Sequence, residues 1–433
     1  MLINIITLGC SKNTVDSEVM AAKYVEQGHQ VVFESREPSD AVILNTCSFI
    51  RDAKEESIEE IFNQLERKND GQVGTVFVMG CLAQRYKEDL KKEIPELDGI
   101  FNFSELPLML NDPAFGLLTY PNRILSDKSH YAYLKLSEGC DRQCAFCAIP
   151  NIRGKQVSKP IERLVEEANF LVSQGVKELM LIAQDSTAYG TDIYRARELE
   201  KLLRAVGDVK GLEWIRLHYT YPNDFPIGVL DVIREYDNFC KYIDVPLQHV
   251  SEKVLRAMHR PSSPTRMYQL INTIRTKVPG IAIRTTILSG FPTETRKEHE
   301  ELLYFIKDVS LEKVGVFSYS PEEGTPAFSL GDPISEEEKL DRLEEIMAAQ
   351  ADISMALNES KIGETLKVII DEEMEDEHSG YKFVYAGRSQ FDSPEVDGCV
   401  FLYANETLNV GEFYPVTITD ADCHDLFGEI ENN

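Results

Sequence analysis

The sequence predicts an α/β protein of three parts: an N-terminal parallel-sheet α/β domain, an incomplete (βα)6 barrel and a small C-terminal all-β barrel. Short apolar runs alternate with helical patterns along the first two parts, which is typical of parallel sheets covered on both faces. After about Ser360 the chain is rich in β-formers and turn residues, as a small β-barrel would be. These changes of pattern divide the chain at 1–125, 130–355 and 358–433.

In the first domain, three apolar runs each precede a helical pattern. The runs are LINIITL, AVILN and GTVFVM, and we expect helices around Asp16–Gln27, across Ala53–Arg67 and from about Ala83. Because parallel strands point the same way, the residues that follow the three runs should lie at one edge of the sheet, where ligands bind in such folds.

The middle domain has six further strand-like segments. Six βα units make a barrel that is open at one side, and its active site should lie at the carboxyl ends of the strands. Residues 111–130 are rich in Pro, Asn and Asp and should form a linker before it, and a helical pattern over 335–358 leads to the third domain. The six segments are AYLKLSE, ELMLIAQ, WIRLHYT, KYIDVPL, IAIRTTILSG and KVGVFSYS.

Composition limits the classes of function. The 433 residues are 43% hydrophobic and carry a net charge of −28, which argues against broad nucleic-acid binding and suits a basic partner. The start MLINIITLGCSKN has no signal-peptide pattern, and no apolar run approaches the roughly 20 residues that span a bilayer. We therefore expect a cytoplasmic protein whose nine cysteines are thiols or metal ligands rather than disulfides.

Three cysteines follow the first barrel segment in LSEGCDRQCAFCAIP, at Cys140, Cys144 and Cys147. Zinc would normally need a fourth ligand, usually in a second C-x2-C pair, and a redox dithiol needs only two cysteines. Thiolates at short loop spacings are typical of iron–sulfur clusters. Three thiolates on a cluster of four irons leave one iron open for another ligand.

A second group of cysteines is predicted from topology rather than spacing. Cys10, Cys47 and Cys81 each lie just past one of the three apolar runs of the first domain. One alone would be interpreted as a buried small hydrophobe, but three at the same topological position favour a second three-thiolate cluster. Asn13 and Asn45 could donate hydrogen bonds to the sulfurs.

These features resemble the radical S-adenosylmethionine (SAM) methylthiotransferases over essentially the whole chain. The shared layout is a three-cysteine N-terminal domain, C-x3-C-x2-C in a barrel and a C-terminal piece that looks like a TRAM domain. One branch of that family modifies a tRNA adenosine and typically carries GCQMN and GQNVN. Here LGCSKNTVDSE, CDRQCAFCAIPNIRGKQVSKPI, LIAQDSTAYG, VPLQHVSEKVLRAMHR, TTILSGFPTET and FSYSPEEGTPAF resemble the RimO-type branch, which modifies a ribosomal protein. Thr293 stands where glycine is expected.

The resemblance implies methylthiolation of the β-carbon of one aspartate in small-subunit ribosomal protein uS12, with a tRNA adenosine as the alternative substrate. It implies two 4Fe-4S clusters and SAM as cofactors. The catalytic cluster would be held by Cys140, Cys144 and Cys147 and would cleave SAM to a 5′-deoxyadenosyl radical, while the cluster at Cys10, Cys47 and Cys81 would deliver sulfur. A flavodoxin or ferredoxin would donate electrons to a monomeric enzyme.

Polar residues that end the other barrel strands are candidates for holding SAM or substrate. We select Gln184, Asp185, Gln248 and Gly290, and ordinary capping or loop roles remain the alternative for each. Ser289, His218 and His249 would face the same cavity, although the histidines could also be satisfied core residues. Cys240, Cys399 and Cys423 have no ligand spacing and are interpreted as ordinary thiols.

The charge of the C-terminal domain points to the same substrate class. Residues 358–433 contain four Lys and Arg against eighteen Asp and Glu, a balance that repels phosphate and attracts a basic protein. Acidic surfaces also serve solubility, which is the alternative explanation. The run DEEMEDE, residues 371–377, is expected to be a solvated loop or hairpin that takes part in recruiting the substrate.

Overall fold

The computed structural model describes residues 1–126, 130–375 and 381–430. It contains a five-stranded parallel sheet, a six-stranded parallel sheet and a closed five-stranded barrel, in this order along the chain. The fold class predicted from the sequence is therefore confirmed.

The first sheet has the strand order β2-β1-β3-β4-β5, and all neighbouring strands are parallel. Its elements are β1 (Leu2–Thr7), α1 (Ser11–Glu26), β2 (Gln30–Phe33), β3 (Ser39–Thr46), α2 (Arg51–Asn69), β4 (Val73–Gly80), α3 (Cys81–Glu93), β5 (Gly99–Ile100) and α4 (Leu106–Met109). The direction of winding reverses between β1 and β3, and ligands of open α/β sheets bind outside the carboxyl ends of the strands at this point.

The helix α1 begins at Ser11, well before the predicted start near Asp16. Cys10 is the extended residue before the helix, and its carbonyl accepts a hydrogen bond from the Asn13 N–H at 2.8 Å. The first turns bury the polar residues Asn13, Asp16 and Ser17. Because these buried residues are polar, the sequence shows no apolar periodicity here that would predict a helix.

The second sheet has the order β13-β12-β11-β10-β9-β6, all parallel, with its open side between β13 and β6. The first half of this domain contains β6 (Tyr131–Lys135), β7 (Ser137–Glu138), α5 (Ile149–Arg153), β8 (Val157–Ser158), α6 (Ile161–Ser173), β9 (Glu178–Ile182), α7 (Leu199–Gly207) and β10 (Trp214–Leu217). Of these, β7 and β8 form a separate antiparallel pair. The second half of the domain contains α8 (Gly228–Glu235), β11 (Phe239–Asp244), α9 (Glu252–Ala257), α10 (Pro264–Lys277), β12 (Ala282–Ser289), α11 (Arg296–Val309), β13 (Lys313–Ser318) and α12 (Glu336–Glu359). All six predicted barrel strands are present.

The C-terminal part is a closed barrel with the order β14-β15-β16-β18-β17. Its strands are β14 (Thr365–Met374), β15 (Phe383–Ser389), β16 (Val400–Ala404), β17 (Phe413–Ala421) and β18 (Leu426–Ile430). Neighbouring strands are antiparallel except β16 and β18, which are parallel. Closure leaves no unpaired edge that could associate with another sheet.

The C-terminal barrel packs against the face of the six-stranded sheet that is turned away from the helices. Trp214, Tyr242 and Ile369 form a shared apolar cluster there. Beside it the buried Arg216 pairs with Glu178 at 2.5 Å and donates to the carbonyls of Ser389 and Gln390 at 2.9 and 2.6 Å. Removing one partner of such a buried pair typically costs about 3–5 kcal/mol. The two barrels are therefore one packed unit rather than independent modules.

The described part of the run DEEMEDE ends β14, which pairs antiparallel with β15 and fits the hairpin alternative. Asp371, expected to be solvated, is instead a buried residue of β14 that accepts hydrogen bonds from Arg388 and lies 2.8 Å from His130 Nε2. Burial opposes ionisation, but the bonds from His130 and Arg388 lower the pKa of Asp371 to about 2. Asp376 and Glu377 of the same run lie outside the described residues. The expected linker contains Arg123, which is buried in ion pairs with Glu18 and Glu167.

Candidate active site

The C-x3-C-x2-C segment forms a loop that begins at the carboxyl end of β6 and β7. Gly139 allows its sharp turn, because φ is +76° and a Cβ atom would lie 2.2 Å from the carbonyl oxygen of Lys155. The loop is held across the barrel by the Ala145 N–H, which donates to Met258 O at 2.9 Å, and by the Ala327 N–H, which donates to Ala145 O at 2.8 Å. These bonds tie the cysteine loop to the segments that follow α9 and β13.

The sulfurs of this loop receive N–H donors. The backbone N–H of Arg142 lies 3.4 Å from Cys140 Sγ, and Arg260 Nη1 lies 3.4 Å from Cys144 Sγ. The two guanidinium groups flank the ring of Tyr221, at 3.9 and 4.3 Å from its centroid. Donors aimed at sulfur stabilise thiolate ligands and adjust the potential of a bound cluster. Sequence reasoning missed Arg260, which lies 113 residues beyond Cys147 and carries no local signal.

The first group consists of buried or half-buried thiols that need a metal to ionise. Burial raises the pKa of Cys140 to about 11 and that of Cys147 to about 12. A coordinating metal deprotonates a thiol outright. The chemistry of this donor set therefore fits a metal cluster and does not fit a free catalytic thiolate.

The second group comes together at the carboxyl edge of the first sheet. Cys10 precedes α1, Cys47 follows β3 and Cys81 begins α3. A Cβ atom on Gly9 would lie 2.7 Å from Cys47 Sγ, which shows how closely the first two loops approach. Cys47 and Cys81 are buried and Cys10 is exposed. The site lies at the β1/β3 reversal, and two of its cysteines lie at helix N-termini, where the helix dipole favours thiolate.

Each thiol of this second group lies within the electrostatic field of another. Burial, and then the neighbouring thiols, raise the pKa of Cys47 to about 12, and burial is the main cause of the raised pKa of Cys81. Three thiols that repel one another as anions are stabilised together only by a shared cation or cluster. The structure therefore brings together the three cysteines that the topology predicted.

The predicted role of Asn13 and Asn45 is wrong. Asn13 Nδ2 donates to Leu8 O at 2.8 Å and to Thr46 O at 3.2 Å, and Asn45 Nδ2 donates to Asn13 O at 2.9 Å. The amides fix the backbone of the cysteine loops instead of contacting sulfur, because buried carbonyls at strand ends require donors.

Arg153 connects the two cysteine groups. It is the last residue of α5 and extends to Cys81, with 3.6 Å between Nη2 and Sγ. Its side chain also pairs with Asp16 at 2.6 Å and with Glu138 at 3.1 Å, and Lys135 pairs with the same two carboxylates. This buried network joins the first domain to the barrel. Nothing in the sequence around NIRG distinguishes Arg153 from a surface arginine.

The predicted strand-end residues have different hydrogen-bond partners and conformations. Gln184 Nε2 donates to Glu138 Oε1 at 2.6 Å, and the Gly290 N–H donates to Glu294 Oε2 at 2.8 Å. Asp185 binds Thr187 and pairs with Arg142 at 2.7 Å, so its carboxylate orients Arg142 in this arrangement. Gln248 adopts a left-handed φ of +70°, a strained conformation that is often found at functional sites.

Both histidines are packed residues. His218 Nε2 lies 3.0 Å from Ser393 Oγ of the C-terminal domain, and burial lowers its pKa well below the usual range. His249 Nδ1 accepts the Ser251 N–H at 2.9 Å, and burial lowers its pKa to about 4. They are therefore neutral at pH 7. His218 fits the alternative of a satisfied core histidine, whereas the buried Nε2 of His249 has no hydrogen-bond partner among the described residues.

Buried oxygen atoms near the strand ends offer hydrogen bonds to a polar ligand. Ser137 Oγ, Gln184 Oε1 and Ser289 Oγ have no hydrogen-bond partner within residues 1–126, 130–375 and 381–430. Buried polar atoms are usually paired. The unpaired atoms therefore fit the amino-acid and ribose groups of a cofactor such as SAM.

A single-ion site is not formed by these side chains. In the described part of the chain, no three His, Cys, Asp or Glu side chains surround one metal ion. Ligands of one zinc ion must lie within roughly 4 Å of each other, because Zn–S bonds are about 2.3 Å long. The thiolates of a four-iron cluster bind different irons and lie farther apart.

Comparisons with known proteins agree with this geometry. Residues 2–102 match the uncharacterized protein family UPF0004, residues 134–306 the radical SAM superfamily and residues 362–430 the TRAM domain. The chain is 47% identical over 434 residues to a protein of Cytophaga hutchinsonii named ribosomal protein uS12 methylthiotransferase RimO, covering 99% of this chain and 97% of the relative. Relatives with the same name from Phocaeicola vulgatus and Bacteroides thetaiotaomicron are also 47% identical, covering 99% of this chain and 99% and 98% of theirs.

Solved structures show the same fold at low identity. A radical SAM methyltransferase, TsrM from Kitasatospora setae with cobalamin and a [4Fe-4S] cluster bound, matches with a TM-score of 0.56 at 14% identity, covering 75% of this chain and 76% of that one. The cobalamin-dependent SAM radical enzyme OxsB matches with a TM-score of 0.50 at 11% identity, covering 80% of this chain and 56% of that one.

None of the helices in the described ranges is long and apolar enough to cross a membrane.

Proposed function

The chain belongs to the RimO family of radical SAM methylthiotransferases, and we propose that it attaches a methylthio group to the β-carbon of one aspartate of ribosomal protein uS12. The observation that supports this most is the pair of three-cysteine groups, one at the barrel mouth and one at the edge of the first sheet, joined by Arg153. Two clusters are needed where one site activates a carbon and another delivers sulfur.

The first cysteine group would hold the cluster that binds SAM, and the second would hold the sulfur-delivering cluster. When bound, SAM and the two clusters supply one-electron chemistry, sulfur and the methyl group. The chain positions them: Gly139 permits the loop of the first group, and Arg142 and Arg260 donate N–H groups to its sulfurs. The cysteine loops are largely buried except at Cys10, and this burial limits the access of water to the sites.

The polar atoms around the barrel mouth would orient SAM. Gln184, Gln248 and Gly290 lie at strand ends beside the first cysteine group, and Asp185 acts through Arg142. The unpaired Ser137 Oγ and Ser289 Oγ add acceptors and donors there. The electron donor would be a flavodoxin or ferredoxin.

Exposed charge on the C-terminal barrel favours a basic protein over tRNA as the substrate. Arg388 of this barrel is buried, so its charge is not presented at the surface. Within the described ranges, only Lys367 and Lys382 are exposed cations of this domain. The acidic rim, defined here as Glu373, Glu375 and Glu406, is exposed at one end of the barrel. Phosphate would be repelled by this surface, while a basic ribosomal protein would be attracted.

Neutralising the acidic rim is expected to slow association with uS12. Changing Glu373, Glu375 and Glu406 to Gln should lower the association rate roughly threefold to tenfold at low salt, because charge steering acts mainly on encounter. The difference should shrink as the Debye length falls below about 8 Å. Asp371 is left unchanged, since it is buried. The measurement is stopped-flow or biosensor binding across a salt series.

A matched control removes the same charge elsewhere. Glu55, Glu59 and Glu66 are exposed on α2 of the first domain, and their change to Gln should leave the association rate nearly unchanged. Equal rates and equal salt slopes for the rim variant and wild type would assign the rim to solubility alone. Equal slowing by both variants would assign recruitment to the overall charge.

The test of the function is mass spectrometry of uS12 and tRNA from cells with and without this gene. We expect a methylthio adduct on one aspartate of uS12 only when the gene is present, and identical tRNA in both strains. Loss of a methylthioadenosine from tRNA with unchanged uS12 would instead establish the tRNA alternative.

A further inference from the structure

Lys12 is a buried lysine without a carboxylate partner. It is the second residue of α1, and only 7% of its surface is exposed. The other buried lysines, Lys135, Lys159 and Lys339, all pair with carboxylates within 2.8 Å. Within the residues that the structure describes, no Asp or Glu lies within 4 Å of the Lys12 ammonium, although the chain has 73 acidic residues. A buried cation without an anionic partner is costly, so the Lys12 ammonium is suited to bind an anion.

The Lys12 side chain crosses from the first domain to the barrel mouth. Its ammonium lies 3.0 Å from the centroid of the Tyr219 ring, just beyond the carboxyl end of β10. Burial is the main influence on the pKa values of His218 and Asp244, at the ends of β10 and β11, and the positive charge of Lys12 acts to lower both. Lys12 is two residues from the exposed thiol of Cys10. The ammonium therefore lies where the second cysteine group meets the barrel.

Tyr219 is itself held in a strained conformation. Its φ is +57°, in the left-handed region, and its N–H donates to Asp244 Oδ2 at 2.9 Å. A bulky residue in this region is strained, and such strain is concentrated at ligand sites. Tyr219 is half-buried. The ammonium and the partly exposed ring therefore lie together just beyond the end of β10.

We propose that Lys12 binds the side-chain carboxylate of the target aspartate of uS12, an inference that rests on the proposed function. The β-carbon of an aspartate is bonded directly to its carboxylate. A salt bridge to Lys12 therefore fixes the reacting carbon beside the cysteine group that delivers sulfur. The carboxylate would replace the Tyr219 ring as the main partner of the ammonium, and charged hydrogen bonds of this kind are the stronger ones.

The test compares holoenzyme binding to uS12 and to uS12 whose target aspartate is changed to Asn. We expect wild type to bind the Asp form about 10- to 100-fold more tightly, as a charged hydrogen bond predicts. Lys12→Met and Lys12→Gln should reduce this preference to within about twofold. General charge attraction predicts the opposite sign, because the Asn form is the more basic protein. Titration calorimetry measures the four affinities.

Lys23→Met is the matched control, because Lys23 lies on the same helix but pairs with Asp112. It should keep the full Asp preference. A preference that persists in both Lys12 variants, or that is missing in wild type, overturns the inference. A fall in affinity for both substrate forms alike would mean a structural role and also overturns it. If wild type supplied with SAM and reductant leaves uS12 unmodified, the proposed function fails, whatever the binding ratios.

Discussion

Replacing Cys144 by Ala is expected to abolish SAM cleavage and to leave a folded protein with about half of its iron. Cys144 is the middle cysteine of the first group, and its sulfur is the one that Arg260 contacts. With only two thiolates remaining, the first cluster loses one of its three protein ligands, while the second group in the first domain keeps its three cysteines. The loss in 5′-deoxyadenosine formation should be complete rather than partial, because only the first group would hold the cluster that binds SAM.

Iron analysis and chromatography of 5′-deoxyadenosine on the reduced, reconstituted protein measure this result. Cys423→Ala is the control, because Cys423 is a half-buried thiol outside both groups. It should retain full iron and full cleavage. A Cys144→Ala variant that forms 5′-deoxyadenosine at the normal rate would remove the first group from its assigned role.

The parallel strands that carry the cysteines, and the position of the cysteines at their ends, were predictable from the sequence. Apolar runs such as VFVMG define buried parallel strands, and the residue after each run must lie at the carboxyl edge. Cys10, Cys47 and Cys81 could therefore be grouped although they are far apart in sequence. The C-x3-C-x2-C loop could be identified as a cluster site from its cysteine spacing alone.

The residues that act between domains were not predictable. Arg153 and Lys12 obtain their roles from contacts with Cys81 and Tyr219, which belong to other parts of the chain. A charged side chain has no periodic signal, so the sequence describes it equally well as solvated. Asp371 was misassigned for the same reason: its partners Arg388 and His130 become visible only in the folded chain.

The packing of the two barrels changes how the C-terminal domain should be tested. The segment after β15 lies against the six-stranded sheet, where Asp392 pairs with Lys313 at 2.6 Å and Asp397 accepts a hydrogen bond from Tyr242 at 2.8 Å. Deleting the domain would expose the buried Arg216–Glu178 pair. Loss of activity on truncation would therefore report lost stability as well as lost recruitment. Substitutions confined to exposed acids separate the two effects.

Removing the second cysteine group is expected to separate SAM cleavage from product formation. With Cys10, Cys47 and Cys81 all changed to Ala, the first group still has its three cysteines and its donors Arg142 and Arg260. SAM cleavage should continue within a few-fold of wild type, while methylthiolated uS12 falls below detection. Some slowing is expected, because Arg153 loses its contact with Cys81 and the network with Asp16 can relax.

The matched control for this triple variant changes the remaining three cysteines, Cys240, Cys399 and Cys423, to Ala. It removes the same number of thiols but neither group, so both 5′-deoxyadenosine and product should form. Product is followed by mass spectrometry of uS12, and cleavage by chromatography in the same reactions. Full product from the Cys10, Cys47 and Cys81 variant would show that sulfur reaches the aspartate without this site. Loss of cleavage together with product would instead mean that Arg153 couples the two sites so tightly that neither works alone.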